Sequence, residues 1–286
     1  MTVKLAVPNK GRLRDPALEL LDDSGIGIKD RGARQLFART SDPELEAIFA
    51  RTQDIPTIVE RGAADLGITG HDLVLESGSE VEELLDLGYG EAKMVVASHM
   101  DSSVNTVEDV EDGSKVATEF PNVARRYFDD KGIKVKLTRV SGATEITPII
   151  GVADLIVDLT STGTTLRTHG LQVIDTIFET SARLIVNLES LKEEKEKIED
   201  VKTAMGSVIR ARTSRLVMMN APVDKLSAIK QIMPGMVGPT VSSVEGTNFL
   251  AIQVVVRESE VYDLVKRAKK EGARDILVVP IERLLE

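Results

Sequence analysis

Gly151-Val152-Ala153-Asp154-Leu155-Ile156-Val157-Asp158-Leu159-Thr160-Ser161-Thr162-Gly163-Thr164-Thr165-Leu166 joins an apolar strand directly to a hydroxyl- and glycine-rich turn. Branched side chains on either side of Asp158 favour a sheet, and Thr160 to Thr165 supply N–H groups and hydroxyls where a following helix begins. The pattern reads as an anion cradle with a carboxylate at its lip, suited to a phosphorylated sugar. Burying an unpaired carboxylate costs several kcal/mol, so Asp158 points to a hydroxyl, cation or metal it must meet. The plainer reading of the turn is a Gly/Thr-rich helix cap. Glu145 stands thirteen residues upstream and can converge on the same pocket; otherwise it is a first-turn acid favoured by the helix dipole.

Working outward, short Val/Ile/Leu runs alternate with helix-length patterns. Val3 to Val7, Asp15 to Asp23, Ile55 to Arg61 and Asp65 to Ile68 read as βα units on a largely parallel sheet. Asp54-Ile55-Pro56 predicts a helix start and Gly62 its end. A second series follows: strands at Lys93 to Ser98, Ser114 to Ala117, Lys134 to Arg139 and Leu155 to Leu159, helices at Pro121 to Lys131 and from Glu145 to Gly151, and a closing strand at Ala182 to Asn187. Glu189 to Lys202 predicts a solvated helix with i,i+4 ion pairs. After it, Arg215 to Val279 reads β-α-β-β-α-β, a split-βαβ, ferredoxin-like unit. The fold class is therefore α/β: two tandem lobes around a cleft, 1–92 (with 188–212 returning to it) and 93–187, then a third domain, 213–286.

The chain has 286 residues and a formal charge of -10, with 46 acidic and 36 basic side chains. Such a surface repels nucleic acid, and any anionic ligand must be met by a local basic patch. Pro8-Asn9-Lys10-Gly11-Arg12-Leu13, at the end of the first strand, supplies one; Arg34 and Arg51 are further candidates, though each is equally a plain surface residue. Gly70-His71-Asp72 falls at a strand's C-terminal end, where open α/β sheets bind ligands. No cysteine and three separated histidines argue against a thiolate or zinc site. No Walker loop or dinucleotide-binding glycine spacing is present. The N-terminus lacks a signal-peptide apolar core and no run approaches a membrane span, so a cytoplasmic location is expected.

These residues resemble the ATP phosphoribosyltransferase family in its long form. Glu145, Gly151, Ala153, Ile156, Asp158, Leu159, Thr162, Gly163, Thr165 and Leu166 fit that family's spacing, as do Asn9 to Leu13, Asp54 to Pro56, Gly62 to Ile68 and Gly70 to Asp72. The resemblance covers essentially the whole chain. It implies periplasmic-binding-protein-like lobes, an ACT-like third domain, and a reaction that joins N1 of ATP to C1 of phosphoribosyl pyrophosphate with Mg2+, releasing pyrophosphate. It also implies that Thr160, Ser161, Thr162, Gly163, Thr164 and Thr165 hold the 5-phosphate, and that Glu145 and Asp158 take ribose hydroxyls. By the same resemblance Lys10, Gly11, Arg12, Arg34, Arg51, Gly70 and Asp72 serve ATP or pyrophosphate, with Lys10 in the catalytic group. Histidine is expected as feedback inhibitor near Pro234-Gly235-Met236 and Pro239, Thr240 and Val241, in a homo-oligomer, dimer to hexamer. The competing readings are a solute-binding protein, a LysR-type effector domain or a catalytically silent subunit. The missing export signal and DNA-binding segment tell against the first two, and the mixed charges of Lys10, Arg12, Glu145 and Asp158 against the third.

Overall fold

The computed structural model describes residues 2–29, 36–233 and 238–285. Two compact units follow one another, Met1–Lys202 and Thr203–Glu286.

The first unit holds two sheets. Its first lobe runs β1 (Val3–Pro8), α1 (Arg14–Asp23), β2 (Phe37–Arg39), β3 (Leu45–Ala50), α2 (Ile55–Glu60), β4 (Leu66–Gly70), α3 (His71–Ser77) and β5 (Val81–Asp86). β1 pairs parallel with both β3 and β4, and its Leu5, Ala6 and Val7 are fully buried, as central parallel strands require. Added methyl groups show how closely α2 sits on this sheet: a Cβ at Gly67 would lie 2.6 Å from a methyl of Ile55 and 2.8 Å from one of Val59. Asp54 precedes α2 as expected, but its side chain makes no cap bond; Pro56 in the first turn fixes the start instead.

The second lobe runs β6 (Ala92–His99), β7 (Lys115–Thr118), α4 (Pro121–Asp130), β8 (Lys136–Arg139), β9 (Leu155–Thr160), α5 (Thr164–Thr168) and β10 (Leu171–Thr180). Its sheet order is β10-β6-β9-β7-β8, packed on one face over a core that includes Met94, Phe128, Leu155 and Val157. The helix expected from Glu145 to Gly151 is only a 3-10 turn at Thr144–Ile146 followed by turns. Thr147 turns its hydroxyl back onto the Thr144 carbonyl at 2.7 Å, and Pro148 cannot donate to a continuing helix.

The chain then returns through β11 (Ala182–Asn187), α6 (Ser190–Glu193) and α7 (Lys195–Arg212). This corrects the expected lobe boundary at 187, because β11 belongs to the first sheet, antiparallel between β4 and β5. Leu184, Ile185 and Val186 are fully buried there. The helix of Glu and Lys residues is also less solvated than its composition suggests: Ile198 and Val201 are buried, and Lys197 pairs across the unit with Asp42 at 2.5 Å. An ion pair within it, Lys202 with Glu199, is spaced i,i+3.

Helix α3 ties the two lobes together. Leu73 and Leu75 pack against the second-lobe core, and the Glu76 carboxylate accepts hydrogen bonds from the N–H groups of Asn122 (3.0 Å) and Val123 (2.9 Å) at the start of α4. Glu76→Ala is expected to destabilise the protein by about 1–2 kcal/mol, the usual worth of a helix cap. A lower urea midpoint at unchanged m-value would register this, and an unchanged midpoint would refute it.

The second unit contains β12 (Ser214–Pro222), α8 (Leu226–Gln231), β13 (Thr240–Ser243), β14 (Phe249–Arg257), α9 (Glu258–Lys270) and β15 (Arg274–Pro280). The antiparallel sheet runs β13-β14-β12-β15, over a core that includes Val217, Met219, Ile252, Val254 and Leu264. The unit begins ten residues before the expected 213, at Thr203. The last turns of α7 are held to its C-terminal segment: the Leu284 N–H donates to the Ser207 carbonyl at 2.9 Å and Arg210 Nε donates to the Leu284 carbonyl at 3.1 Å.

Candidate functional site

Parallel pairing in the first sheet gathers several of the candidate residues at one edge. Pro8 lies opposite Ala50 in the last rung of β1 and β3, so Lys10, Gly11 and Arg12 leave that edge beside Arg51, and all four are exposed. The Asn9 N–H continues the ladder to the Ala50 carbonyl at 2.8 Å. Gly11, with φ +84°, turns the chain into α1, a conformation that favours glycine. Arg34 lies outside the described residues.

Gly70 and Asp72 sit at the end of β4, the same edge, but in another role. Asp72 is 4% exposed; its carboxylate accepts from the Thr180 hydroxyl at 2.7 Å, and its N–H donates to the same oxygen at 3.0 Å. Asp72, expected to meet a ligand, also fastens α3 to the end of β10 in the structure. Gly70 makes room for it, since a Cβ there would fall 2.4 Å from the Asp72 carboxylate. Beside them the His71 ring lies 2.7 Å from the Glu83 carboxylate, which is 3.5 Å from Arg183.

In the second sheet the site is built on β9. Asp158, half-buried, is preceded by the buried Leu155, Ile156 and Val157. Burial out of water pushes its carboxyl up to about 6, the negative charges of Glu119 and Glu145 push the same way, and hydrogen bonds from the Leu159 N–H and the Thr144 hydroxyl hold it back. The bond from Leu159 is 2.7 Å long. Glu145 thus lies near enough for its charge to act on Asp158. Glu119 joins them without having been foreseen. Parallel pairing of β7 with β9 ends at Thr118 opposite Val157, so the next residues along, Glu119 and Asp158, emerge side by side.

The turn after β9 is stitched by its own hydroxyls. Thr160 Oγ1 accepts from the Gly163 N–H at 2.9 Å, and the hydroxyls of Thr162 and Thr164 lie 2.9 Å apart. Gly163 has φ +71° and starts α5; Ser161, Thr162, Thr164 and Thr165 are exposed. Ser161 also borders a cavity of about 460 Å³ between the strands that connect the lobes, together with Asp86, Lys93, Glu179 and Arg183. Lys93 and Glu179, opposite one another on β6 and β10, form an ion pair there at 2.8 Å.

Among the described residues no group of three or more His, Cys, Asp or Glu side chains is arranged to hold a metal ion, and no helix is long and apolar enough to cross a membrane. In the second unit Pro239, Thr240 and Val241 stand at the start of the edge strand β13. Thr240 is exposed, while Val241 packs against the core. Pro234, Gly235 and Met236 lie outside the described residues.

The model of the family described as ATP phosphoribosyltransferase matches residues 51–207, and that of the HisG C-terminal domain matches 211–283. An ATP phosphoribosyltransferase of Methanothermobacter thermautotrophicus is 50% identical over 286 residues, covering 100% of both chains. One from Methanocaldococcus jannaschii is 51% identical, over 99% of this chain and 100% of its own. Among solved structures, the ATP phosphoribosyl transferase (HisG:HisZ) complex from Thermotoga maritima matches at TM-score 0.63 and 29% identity, over 72% of this chain and 99% of its own. The share left over is about the size of the second unit. A chain matched from end to end by relatives half identical to it, and carrying the C-terminal domain as well as the catalytic one, belongs to the long-form ATP phosphoribosyltransferases, which transfer the phosphoribosyl group of phosphoribosyl pyrophosphate to ATP in the first step of histidine biosynthesis.

Proposed function

We propose that the second lobe holds phosphoribosyl pyrophosphate and the basic edge of the first lobe meets the phosphates. The observation that carries this reading is Asp158, a carboxylate raised by burial and by like charges at the lip of the hydroxyl-rich turn. Ribose hydroxyls donating to Asp158 and Glu145 relieve that crowding, and the turn from Thr160 to Thr165 receives the 5-phosphate one ribose away. Lys10, Gly11, Arg12, Arg51 and Gly70 line the edge toward ATP or pyrophosphate; Arg34 is added from the sequence alone.

The protein supplies little covalent chemistry in this scheme. Adenine N1 is the nucleophile and pyrophosphate the leaving group, so the side chains have two tasks. They align N1 with C1, and they stabilise charge: carboxylates beside the positive, oxocarbenium-like ribose and cations beside the departing pyrophosphate. Magnesium is required by the family's chemistry. With no preassembled cluster of metal ligands among the described residues, it fits best as part of the polyphosphate substrates, neutralising phosphate charge.

The second unit is the regulatory one in this reading, an ACT-like domain that binds histidine near Pro239, Thr240 and Val241 in a cytoplasmic homo-oligomer. The test follows the ultraviolet absorbance of the N1-substituted adenine product, with both substrates, magnesium and a pyrophosphatase, with and without histidine. Product should require both substrates and fall with histidine. A chain lacking residues 214–286 should lose the inhibition entirely; retained inhibition would put the effector site in the first unit.

A further inference from the structure

The loop that carries Glu145 buries Thr144 and Thr147 but not the residues before them. Residues 141–143 are exposed, and Ala143 takes φ +51°, a left-handed conformation that a non-glycine residue rarely adopts. On this side the loop is tied to the sheet by the N–H of Gly142, which donates to the Glu119 carboxylate, and just before it by the Val140 N–H, which donates to the Thr118 carbonyl at 3.0 Å. Gly142 itself has φ +80°. Two residues on, the Thr144 hydroxyl reaches Asp158. Glu119 therefore stands between two elements: it extends from β7 beside β9, and it grips the loop that brings Thr144 and Glu145 against β9.

We propose that Glu119 is a positioning residue for the transfer reaction, a clasp that holds the 141–147 loop so that Glu145 and Asp158 present their carboxylates together to the ribose. The proposal rests on the reading that these two acids face the ribose. Glu119 does two separable things. Its oxygen accepts the Gly142 N–H, which a glutamine could also do; its charge opposes ionisation of Asp158, which a glutamine could not. The charged groups acting on Asp158 are Glu119 from the end of β7 and Glu145 from the loop; β6 places uncharged Val95 opposite it.

The experiment compares Glu119→Ala, Glu119→Gln and Asp158→Asn with the parent enzyme, measuring kcat, KM for each substrate and the pH profile of kcat/KM. Loss of a charge-assisted hydrogen bond in Glu119→Ala should raise KM for phosphoribosyl pyrophosphate about tenfold or more, with KM for ATP changed much less. Glu119→Gln should restore KM to within about twofold of the parent and move the acid limb of kcat/KM to lower pH, because Asp158 loses a like-charged neighbour. Far-ultraviolet circular dichroism checks that each variant is folded, and the glutamine variant, nearly isosteric, carries the test if the alanine one is not. A Glu119→Ala enzyme with parental KM and pH profile would overturn the clasp. So would a glutamine variant as impaired in KM as the alanine one, or one whose acid limb does not move. Asp158→Asn with parental turnover would instead sink the reading beneath it, whatever Glu119 does.

Discussion

Asp158→Asn is expected to lower kcat about 10²–10³-fold, the usual loss when a preorganised electrostatic partner of the transition state is removed. Asparagine keeps the volume and the acceptor for the Leu159 N–H, so the fold should survive. The substitution should even stabilise it. Asp158 is raised from its ordinary 3.8 to about 6, so between those values the folded protein holds a proton that the unfolded chain has released. Its contribution therefore favours folding less and less as pH rises through that window, and the cost is fully present above it. Two pH units correspond to roughly 2–3 kcal/mol, an upper bound for a partly solvated group. Urea titrations of the variant at neutral pH should give a higher midpoint than the parent, and the parent's loss of stability between pH 4 and 6 should be smaller in the variant. Unchanged turnover would remove Asp158 from the chemistry; lowered stability would mean that its charge is compensated in the fold after all.

Gly163→Val is expected to raise KM for phosphoribosyl pyrophosphate about 10²-fold or more, as misplacement of binding groups by about an ångström can do. The cause is conformational and not a clash. Nothing lies within 4 Å of a Cβ built on Gly163, but its φ is +71°, where a β-branched side chain is a true outlier. The backbone must rotate away, which breaks the Gly163 N–H bond to Thr160 Oγ1 and separates the Thr162 and Thr164 hydroxyls. Stability should fall by only about 1–2 kcal/mol, because Ser161, Thr162, Thr164 and Thr165 are exposed. A variant with parental KM would show that the turn's conformation is not what binds the sugar phosphate.

The contrast between these two residues marks what is legible locally. Gly163 declares itself through neighbours within three positions, and the strand before it through Leu155, Ile156 and Val157, three apolar residues in a row. Other elements do not. β10 carries Leu171 to Thr180 with register shifts between Val173 and Asp175 and between Thr176 and Phe178, and these break the alternation by which a strand is recognised. β5, with the sequence Val-Glu-Glu-Leu-Leu-Asp, has residues that suit a helix; it is a strand because β11 pairs with it. β11 reads as a strand from its own residues, but its sheet does not, because an apolar run states that it will be buried without stating between which partners. Asp72 hides a different fact: its place at a strand end is that of a ligand contact, and its bond to Thr180, 108 residues away in the chain, cannot be seen from its neighbours.

By itself the sequence determined the strand–turn–helix that ends in Gly163, the succession of α/β lobes followed by a β-α-β-β-α-β unit, the local supply of cations at Lys10 and Arg12, and the family. All of these depend on side-chain periodicity, backbone preference or spacing along a short stretch of chain. Only the tertiary structure decided that Ala182–Asn187 completes the first sheet, that Glu76 of one lobe caps a helix of the other, and that Glu119, Glu145 and Asp158 stand together. These last are matters of pairing and burial. A carboxylate's charge state depends on the water it loses and the charges it meets, and here those charges are brought in by residues 39 and 13 positions away in the chain.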